Sequence, residues 1–197
     1  MDNNRPLNMI IAGIGGQGVN TLTQVFRQLS DLNDIYCTGS VYKGGAQRMG
    51  TVHSEMRLFA AGDGNCDMYS TEIPPGDLDL LVGLEPWEAL RYQEFIGPGT
   101  TLIVNSFHEP FFLERTGDFD AGDPLILINA LNIRTTINNY TEEALRMFGS
   151  ARMANYLMGL ESIQTRLLPF SADEYNEAFS NRVNLSRPIV RTMGNPA

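Results

Sequence analysis

An α/β fold with a mostly parallel sheet is the architecture that the order of apolar runs and periodicities in this chain predicts. Three observations carry that expectation. Met9-Ile10-Ile11-Ala12-Gly13 is a continuous apolar run of strand length, the character of a strand buried on both faces. The glycine turn Gly13-Ile14-Gly15-Gly16-Gln17-Gly18 follows it directly. After the turn, Val19, Leu22, Val25, Phe26, Leu29 and Leu32 recur on one face at helical spacing over about 17–33. With a second strand over 35–38, the opening reads as a parallel strand–helix–strand unit. This is the start of a Rossmann-like three-layer domain.

The elements beyond it follow in order. Ser40 to Gly50 reads as a glycine-bearing loop. From Thr51 to Phe59, Val52, Ser54, Met56 and Leu58 alternate with His53, Glu55 and Arg57, the period of a half-exposed strand. A hairpin turn at 60–65 and a short strand near Met68 would give the sheet a β-hairpin or mixed edge. Ile73-Pro74-Pro75-Gly76 is a connector, and 78–83 is a second buried strand. Glu85-Pro86-Trp87 opens a helix with proline in its first turn, a position proline suits; this helix is expected to run to Gly97-Pro98-Gly99. Residues 101–105 and 125–129 read as strands. The C-terminal third is helical: one helix from Thr141, one over 151–165, and a short last one opened by the capping box Ser171-Ala172-Asp173-Glu174. Without a repeat or a long linker, residues 1–197 read as one domain with a helical tail from about 141.

Composition narrows the function. The chain has 197 residues, 43% of them apolar, and a formal net charge of -9. An acidic chain repels phosphate backbones and anionic lipid, so neither nucleic acid nor a membrane is expected as partner. No run approaches the ~20 apolar residues of a bilayer span, and no leader is evident. The two cysteines, Cys37 and Cys66, are too few and too far apart to hold an iron–sulfur cluster or structural zinc, and they suit a reducing cytoplasm. His53 and His108 have no metal-ligand spacing. His53, on the polar side of its strand, reads as a surface histidine, and Asp77 and Asp79 as exposed charge. No metal ligand and no catalytic nucleophile or base stands out.

The candidate binding residues fall in three places. Gly13, Gly15, Gly16, Gln17 and Gly18 form a turn whose backbone N–H groups, with the start of the next helix, suit a phosphate or carboxylate, or serve only as a tight turn. Left-handed backbone is expected at Gly15. A dinucleotide site would add a carboxylate about 20 residues on, at the end of the second strand. The sequence there is Tyr36-Cys37-Thr38-Gly39-Ser40, which weighs against a stand-alone nucleotide-dependent oxidoreductase. In the second place, Gln47 and Arg48 lie between glycines and end at Gly50; the arginine suits a bidentate anion contact that Gln47 orients, or the segment is only a solvated turn ahead of an edge strand. In the third, Glu85 stands at a strand's carboxyl end, where ligands of α/β sheets gather, although a helix-start carboxylate explains it too.

These segments carry a resemblance. Ile11-Ala12-Gly13-Ile14-Gly15-Gly16-Gln17-Gly18-Val19 resembles the opening of the gamma-type subunit or domain of 2-oxoacid:ferredoxin oxidoreductases, the set that includes pyruvate, ketoisovalerate and indolepyruvate enzymes. Ala46-Gln47-Arg48-Met49-Gly50-Thr51-Val52 is similar to the family's A-Q-R-G-G-[ST]-V segment, which leads into a strand ending in arginine, here Arg57. Residues 73–90 are similar to an I-P-x-G-x-x-D-L-L-x-G-x-E-P-x-E-A-L segment, and Asn155 to Gly159 to a late N-x-x-x-G helix. Met49 departs from the family glycine, and Tyr42-Lys43-Gly44-Gly45 from its histidine–glycine approach.

The resemblance implies an oxygen-sensitive enzyme of several subunits that oxidatively decarboxylates a 2-oxoacid, of pyruvate or aryl-pyruvate type, to an acyl-coenzyme A. It implies thiamine diphosphate, Mg2+ and 4Fe-4S clusters on alpha- and beta-type partner subunits, with ferredoxin as acceptor. This chain would carry no cofactor. Its glycine turn, Gln47, Arg48, Gly50 and Glu85 would line a shared pocket for 2-oxoacid and coenzyme A, or the subunit interface. A small-ligand binding module is the remaining alternative.

Overall fold

The computed structural model describes residues 5–45, 50–59, 70–110 and 122–183. The expected hairpin at 60–65, the strand near Met68, and Gln47 and Arg48 lie outside the described residues.

The apolar run after the N-terminus forms β1 (Leu7–Ile14), buried throughout. The periodic stretch after the turn forms α1 (Val19–Leu32). Then come β2 (Tyr36–Lys43), β3 (Thr51–Phe59), β4 (Leu78–Gly83), the short helix α2 (Pro86–Leu90) and a 3-10 turn at Gln93–Phe95. β5 (Ile96–Asn105), α3 (Pro124–Ala130), β6 (Arg134–Asn138) and α4 (Tyr140–Phe148) follow. A 3-10 turn at Ala151–Met153 leads into α5 (Ala154–Gln164), and α6 (Ala172–Val183) closes the described chain.

The six strands make one mixed sheet in the order β2-β3-β1-β4-β5-β6. β1, β4, β5 and β6 are parallel neighbours, while β3 is antiparallel to both β1 and β2. Helices cover both faces. Met9, Ile11, Met56, Leu58, Leu80, Val82 and Ile103 pack on one side against α1, α4, α5 and α6. Ile10, Ala12, Leu81, Leu102 and Val104 pack on the other against Ala89 of α2, Tyr92 just after it, and Ile128 of α3. The α/β class, the mixed edge and the helical last third are as the sequence predicts.

Four elements differ from expectation. β2 does not pair with β1, because β3 inserts between them, so the opening unit is parallel but not adjacent. β2 also runs on to Lys43, through much of the expected loop. The helix after Glu85 ends at Leu90, and the glycines at 97 and 99 belong to β5. Residues 125–129 are helical rather than extended. Asp123 caps α3 by accepting from Leu125 N–H at 2.8 Å, Pro124 fills the first turn, and only one side of the apolar run is buried. Ile128 is inaccessible, whereas Ile126 is 67% exposed. The strand at this edge is the polar, β-branched Arg134–Asn138.

The late helices lock onto α1 through small residues. A Cβ at Gly159 would lie 2.6 Å from Leu22 Cδ1 and would overlap the hydroxyl of Tyr175. That tyrosine is fully buried and donates to the carbonyl of Tyr156 at 3.1 Å. The capping box forms as expected, with Glu174 N–H donating to Ser171 Oγ and Ser171 N–H to Glu174 Oε2.

Candidate functional site

β1, β4, β5 and β6 end on the same edge of the sheet, and the antiparallel β3 begins there. The order reverses around β1, whose helix leads toward β2 while β4 lies on its other side. The crevice between β1 and β4 is therefore the position where open α/β sheets bind ligands. Gly13, Gly15, Gly16, Gln17, Gly18, Gly50 and Glu85 all come to this edge. Gln47 and Arg48 fall between Gly45 and Gly50, both of which are placed beside it by the pairing of Gly44 N–H with the Thr51 carbonyl at 2.8 Å.

The glycine turn is held from within and from both sides. Gln17 folds back, its Oε1 accepting from Ile14 N–H at 2.8 Å, so this side chain builds the turn. Gly15 N–H donates to the Gly50 carbonyl at 2.9 Å. Left-handed backbone falls at Gly16 (φ 105°) and Gly18 (φ 97°), not at Gly15 as the sequence led us to expect. Gly18 caps α1 without a side-chain contact, and the first turn of α1 has no acidic residue. A Cβ at Gly18 would overlap Asn155 Nδ2. The two motif residues, 137 positions apart by their numbers, meet here, which explains the N-x-x-x-G helix: Asn155 packs on the turn and Gly159 on α1.

Glu85, at the end of β4, is inaccessible to solvent and does two things. Oε2 accepts from Glu88 N–H at 2.9 Å and caps α2, while Oε1 lies 2.7 Å from His108 Nδ1. Burial pushes the Glu85 carboxyl up, against the opposing pull of His108. Glu88, also buried, accepts from Thr51 Oγ1 on one oxygen and from Arg91 Nε at 3.0 Å on the other. Asn105 at the end of β5 donates to the Leu84 carbonyl at 3.3 Å and to Thr141 Oγ1 at 2.8 Å. A continuous polar chain thus runs from Gly15 through Gly50-Thr51 to Glu88, Glu85 and His108.

His53 is not a surface residue. Its ring is stacked on Tyr42 and tilted against Tyr92, with centroids 4.7 Å away in each case. Nε2 is 3.5 Å from Glu55 Oε1, and Nδ1 is buried without a hydrogen-bond partner among the described residues. Burial pulls its pKa down, opposed by Glu55. Burial together with the nearby Glu88 pushes Tyr92 up to about 12. Nor is Asp79 merely exposed charge: it accepts from Asn8 N–H at 2.8 Å and pairs with Arg5 at the opposite edge of the sheet.

Among the described residues there is no nucleotide clamp at the end of β2. β2 ends at Lys43 without a carboxylate, and β3 separates it from β1, so among the described residues no acid at the end of β2 adjoins the turn where a ribose would lie. Among the described residues no group of three or more His, Cys, Asp or Glu side chains could hold a metal, and no helix is long and apolar enough to cross a membrane. Glu85 and Glu88 are already engaged by His108, Thr51, Arg91 and the α2 backbone, a poor fit to a magnesium–diphosphate site.

The raised Glu85 pKa has a consequence for stability. The folded chain holds this proton more tightly than the unfolded one, so its contribution is full at acid pH and falls as pH rises past the ordinary carboxylate value. Glu85→Gln, which keeps an acceptor for the Glu88 N–H, is expected to flatten the decline of melting temperature between about pH 4.5 and neutrality. Calorimetric melting across that range checks it; an unchanged slope would contradict the burial cost assigned to this carboxyl.

Comparison with known proteins places these features. The family model described as pyruvate ferredoxin/flavodoxin oxidoreductase matches residues 8–187. The indolepyruvate oxidoreductase subunit IorB of Archaeoglobus fulgidus is 33% identical over 100 residues, 51% of this chain and 46% of that protein. Its counterpart from Methanothermobacter thermautotrophicus is 31% identical over 110 residues, 55% of this chain and 53% of that protein. The chain therefore spans about half the length of the curated relatives it matches. The pyruvate oxidoreductase subunit PORC of Thermotoga maritima shares the fold, with a TM-score of 0.53 over 92% of this chain and 97% of that one, at 16% identity.

Proposed function

Because this chain belongs to the pyruvate ferredoxin/flavodoxin oxidoreductase family, we propose that it is the gamma-type subunit of a cytoplasmic 2-oxoacid:ferredoxin oxidoreductase, a single domain that shapes a shared pocket and needs partner subunits for chemistry. The observation that supports this best is the meeting of three separated motifs at one edge: the glycine turn, the Gly50-Thr51 strand start and Glu85. The partners would be alpha- and beta-type subunits bearing thiamine diphosphate, Mg2+ and 4Fe-4S clusters. Thiamine diphosphate, when bound there, supplies the carbanion chemistry of decarboxylation. This chain's part is to position: its glycine turn and Arg48 would face the anionic groups of a 2-oxoacid and coenzyme A. The curated relatives are named as indolepyruvate oxidoreductase subunits, which favours an aryl-pyruvate substrate.

Arg48 tests this reading. The chain is acidic, so Arg48 is an exception to its overall charge. If Arg48 makes a charge-assisted contact in a shielded pocket, Arg48→Ala should remove about 1.5–3 kcal/mol, roughly a ten- to hundredfold loss of kcat/KM. Lysine should restore only part, lacking the planar two-bond geometry. Steady-state kinetics on the reconstituted complex, with oxoacid and coenzyme A varied separately, give the answer. Efficiencies within about twofold of wild type in an intact complex would make Arg48 a solvated loop residue, whose removal costs less than ~0.5 kcal/mol.

A further inference from the structure

We propose that Asn155, on the late helix α5, and the start of α1 together form a binding site for a phosphate group beside the glycine turn, with the Asn155 amide as its side-chain donor. The proposal rests on the preceding reading of this edge as ligand-facing and deepens it, because it assigns the turn to a phosphate rather than to a carboxylate.

Two helix starts build the site. The first intrahelical bond of α1 runs from Leu22 N–H to the Gly18 carbonyl at 3.0 Å, so the N–H groups of Val19, Asn20 and Thr21 have no acceptor within the helix. Gly18 stands at the N-cap without a side chain to offer, and the first turn holds no acid. Asn155 lies in the first turn of α5, which likewise has neither a side-chain cap nor an acidic residue. The other α-helices differ: Glu85, Asp123, Asn139 and Ser171 cap α2, α3, α4 and α6. Among the described α-helices, the two without a side-chain cap are thus the two that meet at Gly18. Both present there the positive end of the helix dipole.

Asn155 supplies an independent sign of a ligand. The residue is only 5% exposed, yet its Oδ1 has no hydrogen-bond partner among the described residues. A buried amide left open in this way costs stability. Packing alone does not require it, since an apolar side chain of the same size fills such a place. Nδ2 is directed at Gly18: a Cβ there would overlap this nitrogen, so only glycine lets the amide approach the turn. On the outer side Gly15, Gly16 and Asn20 are exposed, which leaves the turn open to solvent. The donors therefore come from different directions, main-chain N–H groups from α1 and a side-chain amide from α5. A tetrahedral phosphate turns several charged oxygens toward such a set, where a planar carboxylate offers a single pair.

Amide NMR of the full chain, titrated with inorganic phosphate at constant ionic strength, tests the site. The N–H resonances of Gly16 to Thr21 and the Asn155 side-chain amide should shift together and saturate. Asn155→Asp keeps the size and puts a charge that repels the anion in place of the donor; it should abolish the saturation. Asn155→Leu should weaken binding about tenfold or more, the worth of a hydrogen bond to a charged group. Its Tm without phosphate should stay at or above that of wild type, because the buried Oδ1 gives up no partner. A purely structural asparagine predicts the reverse, a lower Tm with unchanged phosphate affinity. Competition by coenzyme A, and by its form lacking the ribose phosphate, separates the sources of the group. If both displace phosphate alike, the site holds the diphosphate; if only coenzyme A does, it holds the ribose phosphate; if neither does, the site takes free phosphate and the proposal stands without coenzyme A. Absence of a saturable shift at Gly16 to Thr21, or wild-type affinity in Asn155→Asp, would overturn it. Should both variants fail to fold, the wild-type titration decides alone, by whether the Asn155 amide responds. If the assembled complex oxidises no 2-oxoacid, it is the functional reading that fails, and the phosphate titration still stands for or against the site.

Discussion

Arg57→Ala is expected to lower stability by about 3–5 kcal/mol, because it strips the donor from a buried polar network at the edge opposite the site. Arg57 is only 5% exposed. Its Nε donates to Asn8 Oδ1 at 2.9 Å, and Nη1 to the carbonyls of Ser70 and of Glu72, the latter at 3.1 Å. Asn8 in turn donates through Nδ2 to the Asp77 carbonyl at 2.7 Å and to Asp77 Oδ2 at 2.9 Å. Removing the guanidinium takes the donor from the buried Asn8 Oδ1 and from the Ser70 and Glu72 carbonyls, and the connector into β4 loses its tie to β3. For a chain of this size that cost corresponds to a fall of roughly 6–20 °C in Tm. Arg57→Met, which keeps the apolar stem, should recover little of it. A Tm within about 2 °C of wild type for the alanine variant would show that the network does not hold the connector.

Gly159→Val is expected to be nearly as damaging, about 3 kcal/mol or more, through overpacking. The added atoms have no room between Leu22 and the fully buried Tyr175, itself packed against Phe26 and Phe179. Relief requires α5 to move away from both α1 and α6, which strains the tyrosine's bond to the Tyr156 carbonyl. Since Asn155 on the same helix packs on Gly18, the displacement reaches the glycine turn. Both the melting temperature and recovery of the assembled complex should fall. Unchanged melting would mean that the interface has slack the geometry does not show.

Legibility followed the range of the interactions. β1, α1, β3 and β4 were readable because local apolar period and burial agree there. The glycine turn was readable because its conformation and crowding require glycine, although left-handed backbone falls at Gly16 and Gly18 rather than Gly15. Residues 125–129 misled because an apolar run of strand length is ambiguous, and the deciding signal was the cap Asp123-Pro124. β6 was missed because an edge strand of Arg-Thr-Thr-Ile-Asn carries little apolar pattern. The insertion of β3 between β1 and β2 is a long-range pairing that no local window encodes.

The candidate site divides the same way. Its glycines and Glu85 were visible as motif residues at strand ends. His108 was not, since its partner stands on another strand, 23 positions away. Thr51 and Glu88 were hidden for the same reason, 37 positions apart. The arginine that ends the β3 segment turns out to serve the far edge of the sheet, where it anchors the connector rather than the pocket.

Native purification decides whether this chain works as an oxidoreductase subunit. The tagged chain, recovered without exposure to oxygen and examined by mass spectrometry and metal analysis, should bring larger subunits with it in fixed ratio. That assembly should contain iron and thiamine diphosphate, and should reduce ferredoxin when a 2-oxoacid and coenzyme A are supplied. The same chain expressed alone should be colourless and free of both. Recovery of the chain alone from its host, or with a bound nucleotide and a reductase activity of its own, would contradict the assignment.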